Sequence, residues 1–101
     1  MVEQKIQTKI LGFLKSMGCY TVKVMAANRN GVPDILGCYK GHFIAVEVKR
    51  PGNKPTELQQ AHIDDINQKQ GHAIVAYSVD EVETMLKEID NETLLTPDHS
   101  S

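Results

Sequence analysis

Apolar side chains recur at Ile6, Ile10, Phe13, Leu14 and Met17, three and four residues apart, while Lys5, Lys9 and Lys15 fall elsewhere. That period predicts an amphipathic helix over residues 2–17, stopped by Gly18. From Cys19 to Met25 the pattern changes to alternation. Tyr20, Val22 and Val24 share one face and Thr21, Lys23 and Met25 the other, which predicts a strand. A polar loop, 26–31, ends in Gly31. Val32 to Tyr39 is a second strand, with Pro33 at its start or edge because proline cannot donate to a sheet ladder. Lys40-Gly41 is a tight turn into a third strand, Phe43 to Arg50, making a hairpin. After the loop Pro51-Gly52-Asn53-Lys54-Pro55, the run Thr56-Glu57-Leu58-Gln59 is a capping box. It opens a helix to Gln70 that stops at Gly71, with Leu58, Ala61, Ile63 and Ile66 inward and His62, Asp64 and Asp65 toward solvent or the rim. Ala73 to Tyr77 is continuously apolar and is expected as a strand buried on both faces. Ser78-Val79-Asp80-Glu81 is a second capping box before a helix carrying Val82, Met85, Leu86 and Ile89.

The order α-β-β-β-α-β-α, a three-strand meander followed by a helical crossover, predicts an α/β fold with a mixed central sheet flanked by helices. The 101 residues fit one domain over 1–90, with a polar tail over 91–101 in which Leu94-Leu95 could dock. No apolar run has membrane-spanning length and no signal peptide is recognised at Met1, so a soluble, cytoplasmic chain without membrane contact is expected. Cys19 and Cys38 form no CxxC pair and no zinc-type spacing with the four histidines; reduced thiols are the expectation. Net charge is −2, but it is unevenly spread. Residues 1–55 hold nine Lys/Arg against three acids, and residues 56–101 two Lys against ten acids. The first half can attract a phosphate backbone; the second half also reads simply as solvated helix faces.

Chemistry enters with the third strand. Ile44, Val46 and Val48 share one face, and Ala45, Glu47 and Lys49 the other. A carboxylate in so apolar a strand costs several kcal/mol unless it is paired or metal-bound. Across the predicted hairpin Asp34 falls nearly opposite Glu47, where two carboxylates repel unless a cation lies between them. Glu3 sits on the inward stripe of the first helical turn, and Gln59 shares a stripe with Ile63 and Ile66. Each has an ordinary alternative. Glu3 suits the helix dipole, Asp34 can cap a turn, Glu47 and Lys49 can be the outer face of an edge strand, and Gln59 can serve only Thr56.

Pro33-Asp34, then Glu47-Val48-Lys49 beginning thirteen positions after Asp34, resembles the PD-(D/E)XK nuclease signature. With Gly31-Val32 before it, Gln59 after it, then Gly71 and an apolar strand, the chain more narrowly resembles the VRR-NUC family over residues 3–77. It is most similar to that family's small stand-alone phage and bacterial members. The resemblance implies a restriction-endonuclease-like α-β-β-β-α-β core and a phosphodiesterase dependent on Mg²⁺ or Mn²⁺, with no organic cofactor. It implies Asp34, Glu47, Lys49 and Gln59 as catalytic residues, and Glu3, Asp34, Glu47 and the Val48 carbonyl as metal ligands. Arg29, Arg50 and Lys54, in loops or at a strand end, are candidates for DNA-backbone contacts.

Similarity to Holliday-junction resolvases in organisation implies a homodimer acting on branched DNA. Flaps or RNA are alternative substrates. An inert nucleic-acid-binding or assembly module of the same fold is the alternative from another class. The filled catalytic positions, Lys49 above all, argue against it.

Overall fold

Why each helix forms is plain from its buried stripe and its ends. The computed structural model describes residues 2–95. Helix α1 spans Glu3–Ser16, buries Ile6, Ile10 and Leu14, and ends before Gly18, whose φ of +80° lies in the left-handed region. Strands β1 (Tyr20–Lys23), β2 (Ile35–Tyr39) and β3 (His42–Val48) form an antiparallel meander. Helix α2 (Glu57–Gln68) then crosses over to β4 (His72–Ala76), which runs parallel to β3, and α3 (Val79–Leu95) closes the domain. The sheet order is β1-β2-β3-β4. Turn residues Lys40 (φ +49°) and Gly41 (φ +83°) both take positive φ, as a two-residue hairpin requires.

The two faces of the sheet are covered unequally. On one, α1 and α3 pack against Ile35, Tyr39, Ile44, Val46, Val48 and Ala76. Each fully buried Ile, Leu or Val there contributes ~1.5–3 kcal/mol relative to exposure. On the other, Ile63 of α2 meets Ala45 and Ala73, with Leu36, Ile66 and Val75 partly buried beside them. Helix α2 is therefore held more by specific bonds than by area. Thr56 and Gln59 complete the reciprocal capping box. Asn67 both donates to the Ala73 carbonyl (3.0 Å) and accepts from the Ala73 amide (2.8 Å).

Several local expectations change. Strand β4 is an edge, with no strand among the described residues pairing its outer side, and it is only half-buried at Ile74 and Val75. His62 is buried, not on the rim; its Nε2 meets the Asn30 carbonyl at 2.8 Å. Leu58 and Ala61 are exposed because α2 leans on the sheet through Ile63 and, less deeply, Ile66. The α2 stop comes at Gln70, which adopts φ +72°. Gly71 serves close packing, since a Cβ there would come 2.6 Å from Ile66 Cγ2. Glu81 reaches back one residue further than a capping box requires, accepting from the Tyr77 amide at 3.0 Å. Helix α3 continues past Asp90 to Leu95, and Leu94 is exposed. Residues 96–101 of the expected tail lie outside the described residues.

Candidate active site

The site forms where the hairpin's open end meets the start of α1. Ile35 pairs with Val46, so the antiparallel register sets Asp34, just before β2, across from Glu47. Asp34 is fixed twice. Its Oδ2 accepts from the Val48 amide at 2.8 Å and its main-chain carbonyl accepts from the Val24 amide at 2.8 Å. Lys49 follows immediately, with its amide bound to the Ala76 carbonyl (3.0 Å) and its Nζ 3.7 Å from Glu47 Oε2.

Glu47 is the anomaly. It is 2% exposed, and Oε1 is the only buried side-chain oxygen or nitrogen without a hydrogen-bond partner among the described residues. Burial pushes its carboxyl up to about 7. The neighbouring Asp34 carboxylate adds to that shift, Glu3 adds a little more, and Lys49 opposes it. A carboxylate this strained electrostatically is the environment in which functional groups are found.

Glu3 lies at the edge of this pair. Its Oε1 accepts from the Arg50 amide (3.4 Å) and from Asn53 Nδ2 (3.3 Å). Asn53 is held in turn by Tyr77, whose hydroxyl donates to the Asn53 carbonyl at 2.9 Å. Neither Asn53 nor Tyr77 is expected from the sequence. One sits in an ordinary turn-forming loop and the other ends an apolar run, so neither carries a signal. Gln59 Oε1 is taken by the Thr56 amide at 2.9 Å, which leaves only its amide nitrogen for other work. Arg50 lines an open cleft of about 770 Å³ together with Lys5, Pro51 and Asn53. Lys5, on the polar side of α1, is a second basic residue there that the spacing of the motif does not flag. Lys54 is exposed in the loop before α2, and Arg29 in the loop between β1 and β2, within electrostatic reach of Asp65.

The donor set suits a hard divalent cation in part. Asp34 and Glu47 offer carboxylate oxygens, and the orphaned Glu47 Oε1 is the kind of atom an ion satisfies. No three His, Cys, Asp or Glu side chains converge on one point among the described residues. Glu3, committed to Arg50 and Asn53, stands outside the Asp34–Glu47 pair.

A sequence model of the VRR-NUC domain matches residues 2–80. The protein named "Putative nuclease p44" of Acyrthosiphon pisum secondary endosymbiont phage 1 is 34% identical over 58 residues. That match covers 56% of this chain and 62% of the phage protein, so it spans less than two thirds of its relative's length. A solved structure described as a VRR_NUC domain superposes with a TM-score of 0.72 at 23% identity, covering 84% of this chain and 94% of the other. A second, described as a VRR_NUC domain protein, gives 0.68 at 20% identity and covers 86% of each.

Proposed function

This chain belongs to the VRR-NUC domain family, and on that footing we propose that it is a divalent-metal-dependent nuclease cutting phosphodiester bonds in DNA. The observation that carries the reading is Glu47, a buried carboxylate with a free oxygen, set against Asp34 and flanked by Lys49. Such a pair is electrostatically unfavourable on its own and is relieved by a cation.

Asp34, Glu47 and the Val48 main-chain carbonyl would hold Mg²⁺ or Mn²⁺. Glu3 serves as a ligand only if it leaves Asn53, and otherwise as a neighbouring acid. When bound, the ion supplies charge neutralisation at the scissile phosphate and a more acidic water. The chain's own residues do the rest. Lys49, mostly buried beside Glu47, brings a fixed positive charge to the phosphate as negative charge builds in the transition state. Asp34 is held rigid by its bonds to Val48 and Val24, so the site is pre-shaped and costs little to organise. The free amide nitrogen of Gln59 can orient a water or a phosphate oxygen at the α2 end. Arg50, Lys54 and Arg29 meet the DNA backbone.

A homodimer acting on branched DNA is part of the proposal. It is supported by the sheet face that α2 leaves uncovered, where Tyr20 (70% exposed), Cys38 and Phe43 (47%) line up in register, with Val22 (43%) and Leu36 beside them. A second copy covering this face would relate two sites by a two-fold axis, as paired incision of a four-way junction requires. The test is cleavage of labelled four-way junction, flap, nicked and linear DNA, and of RNA, in Mg²⁺, Mn²⁺ or EDTA. Wild type is expected to cut only with metal, and Lys49→Ala to lose about 10²-fold or more in rate. Cutting that survives EDTA or the substitution would overturn the site, and preferential cutting of RNA would replace the substrate.

A further inference from the structure

Beyond the open cleft that Arg50 lines, across Pro51, lies a second cavity of about 370 Å³ between α1, the end of β4 and the start of α3. Its floor and walls are Ile6, Pro51, Tyr77 and Val79, while Lys9 and Asp80 stand at its rim. Pro51 lines both spaces, and the next residue back, Arg50, lines the open cleft with Lys5 and directly follows Lys49. Lys5 and Lys9 are one helical turn apart on α1, about 6 Å along its axis. That step is comparable with the separation of successive phosphates on an unstacked strand. Both lysines are exposed, and no side chain forms an ion pair with either among the described residues.

We infer that this cavity is a nucleotide subsite that takes one unpaired base of the substrate strand next to the cleavage position. The inference rests on the nuclease reading and names a feature of its substrate, a single-stranded extension or an unstacked nucleotide at a branch. The chemistry selects the occupant. An apolar floor containing an aromatic ring favours a base, which stacks on Tyr77 and Pro51 without regard to its identity. The Asp80 carboxylate at the rim repels a phosphate but accepts from an exocyclic amino group. The phosphates of the same strand fall instead to Lys9 and Lys5, leading back to Arg50 and, one residue before it, Lys49. Tyr77 joins the two spaces, because its hydroxyl holds the Asn53 carbonyl and Asn53 in turn holds Glu3. An occupied subsite thus presses on the residue that steadies Glu3.

The test is binding, read in EDTA so that no cleavage intervenes. Duplexes carry single-stranded 5′ or 3′ extensions with 2-aminopurine at successive positions, and blunt duplex is the reference. The expected result is fluorescence quenching concentrated at one position of one polarity. Lys9→Glu is expected to remove it and to weaken extended DNA about tenfold, leaving blunt duplex within about twofold. Lys15→Glu, the same charge change on the same helix but away from the cavity, is the control and should leave both intact. Circular dichroism verifies the fold of each variant. Equal quenching at every position, equal losses from Lys9→Glu and Lys15→Glu, or no preference for extended over blunt DNA would overturn the subsite. Those outcomes are separable from failure of the nuclease reading, which is decided by metal-dependent cleavage and Lys49→Ala.

Discussion

Glu47 pays for its position in the absence of a cation. Its carboxyl, raised to about 7 from an ordinary 4.5 chiefly by burial, binds a proton more tightly in the folded chain than in the unfolded one. Protonation therefore stabilises the fold. The Glu47 contribution is most unfavourable above about pH 7 and is relieved as pH falls toward 4.5. Metal-free protein is expected to show a Glu47-dependent rise in Tm between pH 8 and pH 5.5, and Glu47→Gln should flatten that rise while raising Tm at pH 8. Adding Mn²⁺ at pH 8 should raise the wild-type Tm and leave Glu47→Gln largely unmoved. A Glu47→Gln protein less stable than wild type at pH 8 without metal would remove the electrostatic argument. The pairing of Glu47 with Asp34 was legible in the sequence, since a hairpin of known turn fixes register. The anchoring of Glu3 by Asn53 and Tyr77 was not. It depends on the path of an irregular loop, which no period encodes. His62 misled for a related reason. Helical spacing placed it at the rim, but the loop before β2 folds over it and supplies the Asn30 carbonyl. His62→Ala should cost ~1 kcal/mol in urea unfolding, the loss expected for one part-buried hydrogen bond.

Elements were readable wherever a stripe and its punctuation agreed. The helices α1 and α2 and the β2–β3 hairpin stand where period, cap and turn place them. Strand β4 did not, because an apolar run such as Ala73 to Tyr77 looks alike whether a strand is central or lies at an edge beneath two helices. Helix α2 is the element most dependent on its ends, given its thin contact with the sheet. Thr56→Ala, which removes one half of the capping box, is expected to cost ~1 kcal/mol. Thr56→Ala leaves Gln59 Oε1 bound to the residue-56 amide but strips the Gln59 main-chain amide of its acceptor. Amide exchange should quicken in the first turn of α2 before it does in α1 or α3. Uniform protection across the three helices would contradict that ranking. Strand β1 is held by a closer fit. At Gly37, which pairs with Thr21, a Cβ would lie 2.2 Å from the Tyr20 carbonyl oxygen, so any side chain there forces β1 off the sheet.

For the whole molecule, the fold class was carried by element order, since a meander followed by a crossover leaves few topologies. What order could not convey was the unequal cover of the sheet. One face is sealed by two helices and the other is left with an apolar strip from Tyr20 to Phe43. If that strip is the dimer contact, Val22→Glu with Phe43→Glu should yield monomers in analytical ultracentrifugation. Those monomers should still bind metal but lose paired incision of a four-way junction. A wild-type protein that sediments as a monomer at tens of micromolar would overturn the dimer and leave single-site cutting.

Asp34 has a consequence that reaches past catalysis. The same side chain that faces Glu47 also clamps the Val48 amide, and its backbone clamps Val24, so it ties three strands at one corner. Lys49 has no such duty. Its side chain pairs with Glu47, and the sheet holds it by its main chain. Over a lineage's history, losing the reaction is therefore a one-step change at Lys49 that leaves the domain intact, whereas losing Asp34 unravels a corner of the sheet. A descendant that had abandoned cutting would be expected to wear its ancestry as a surviving aspartate beside a missing lysine.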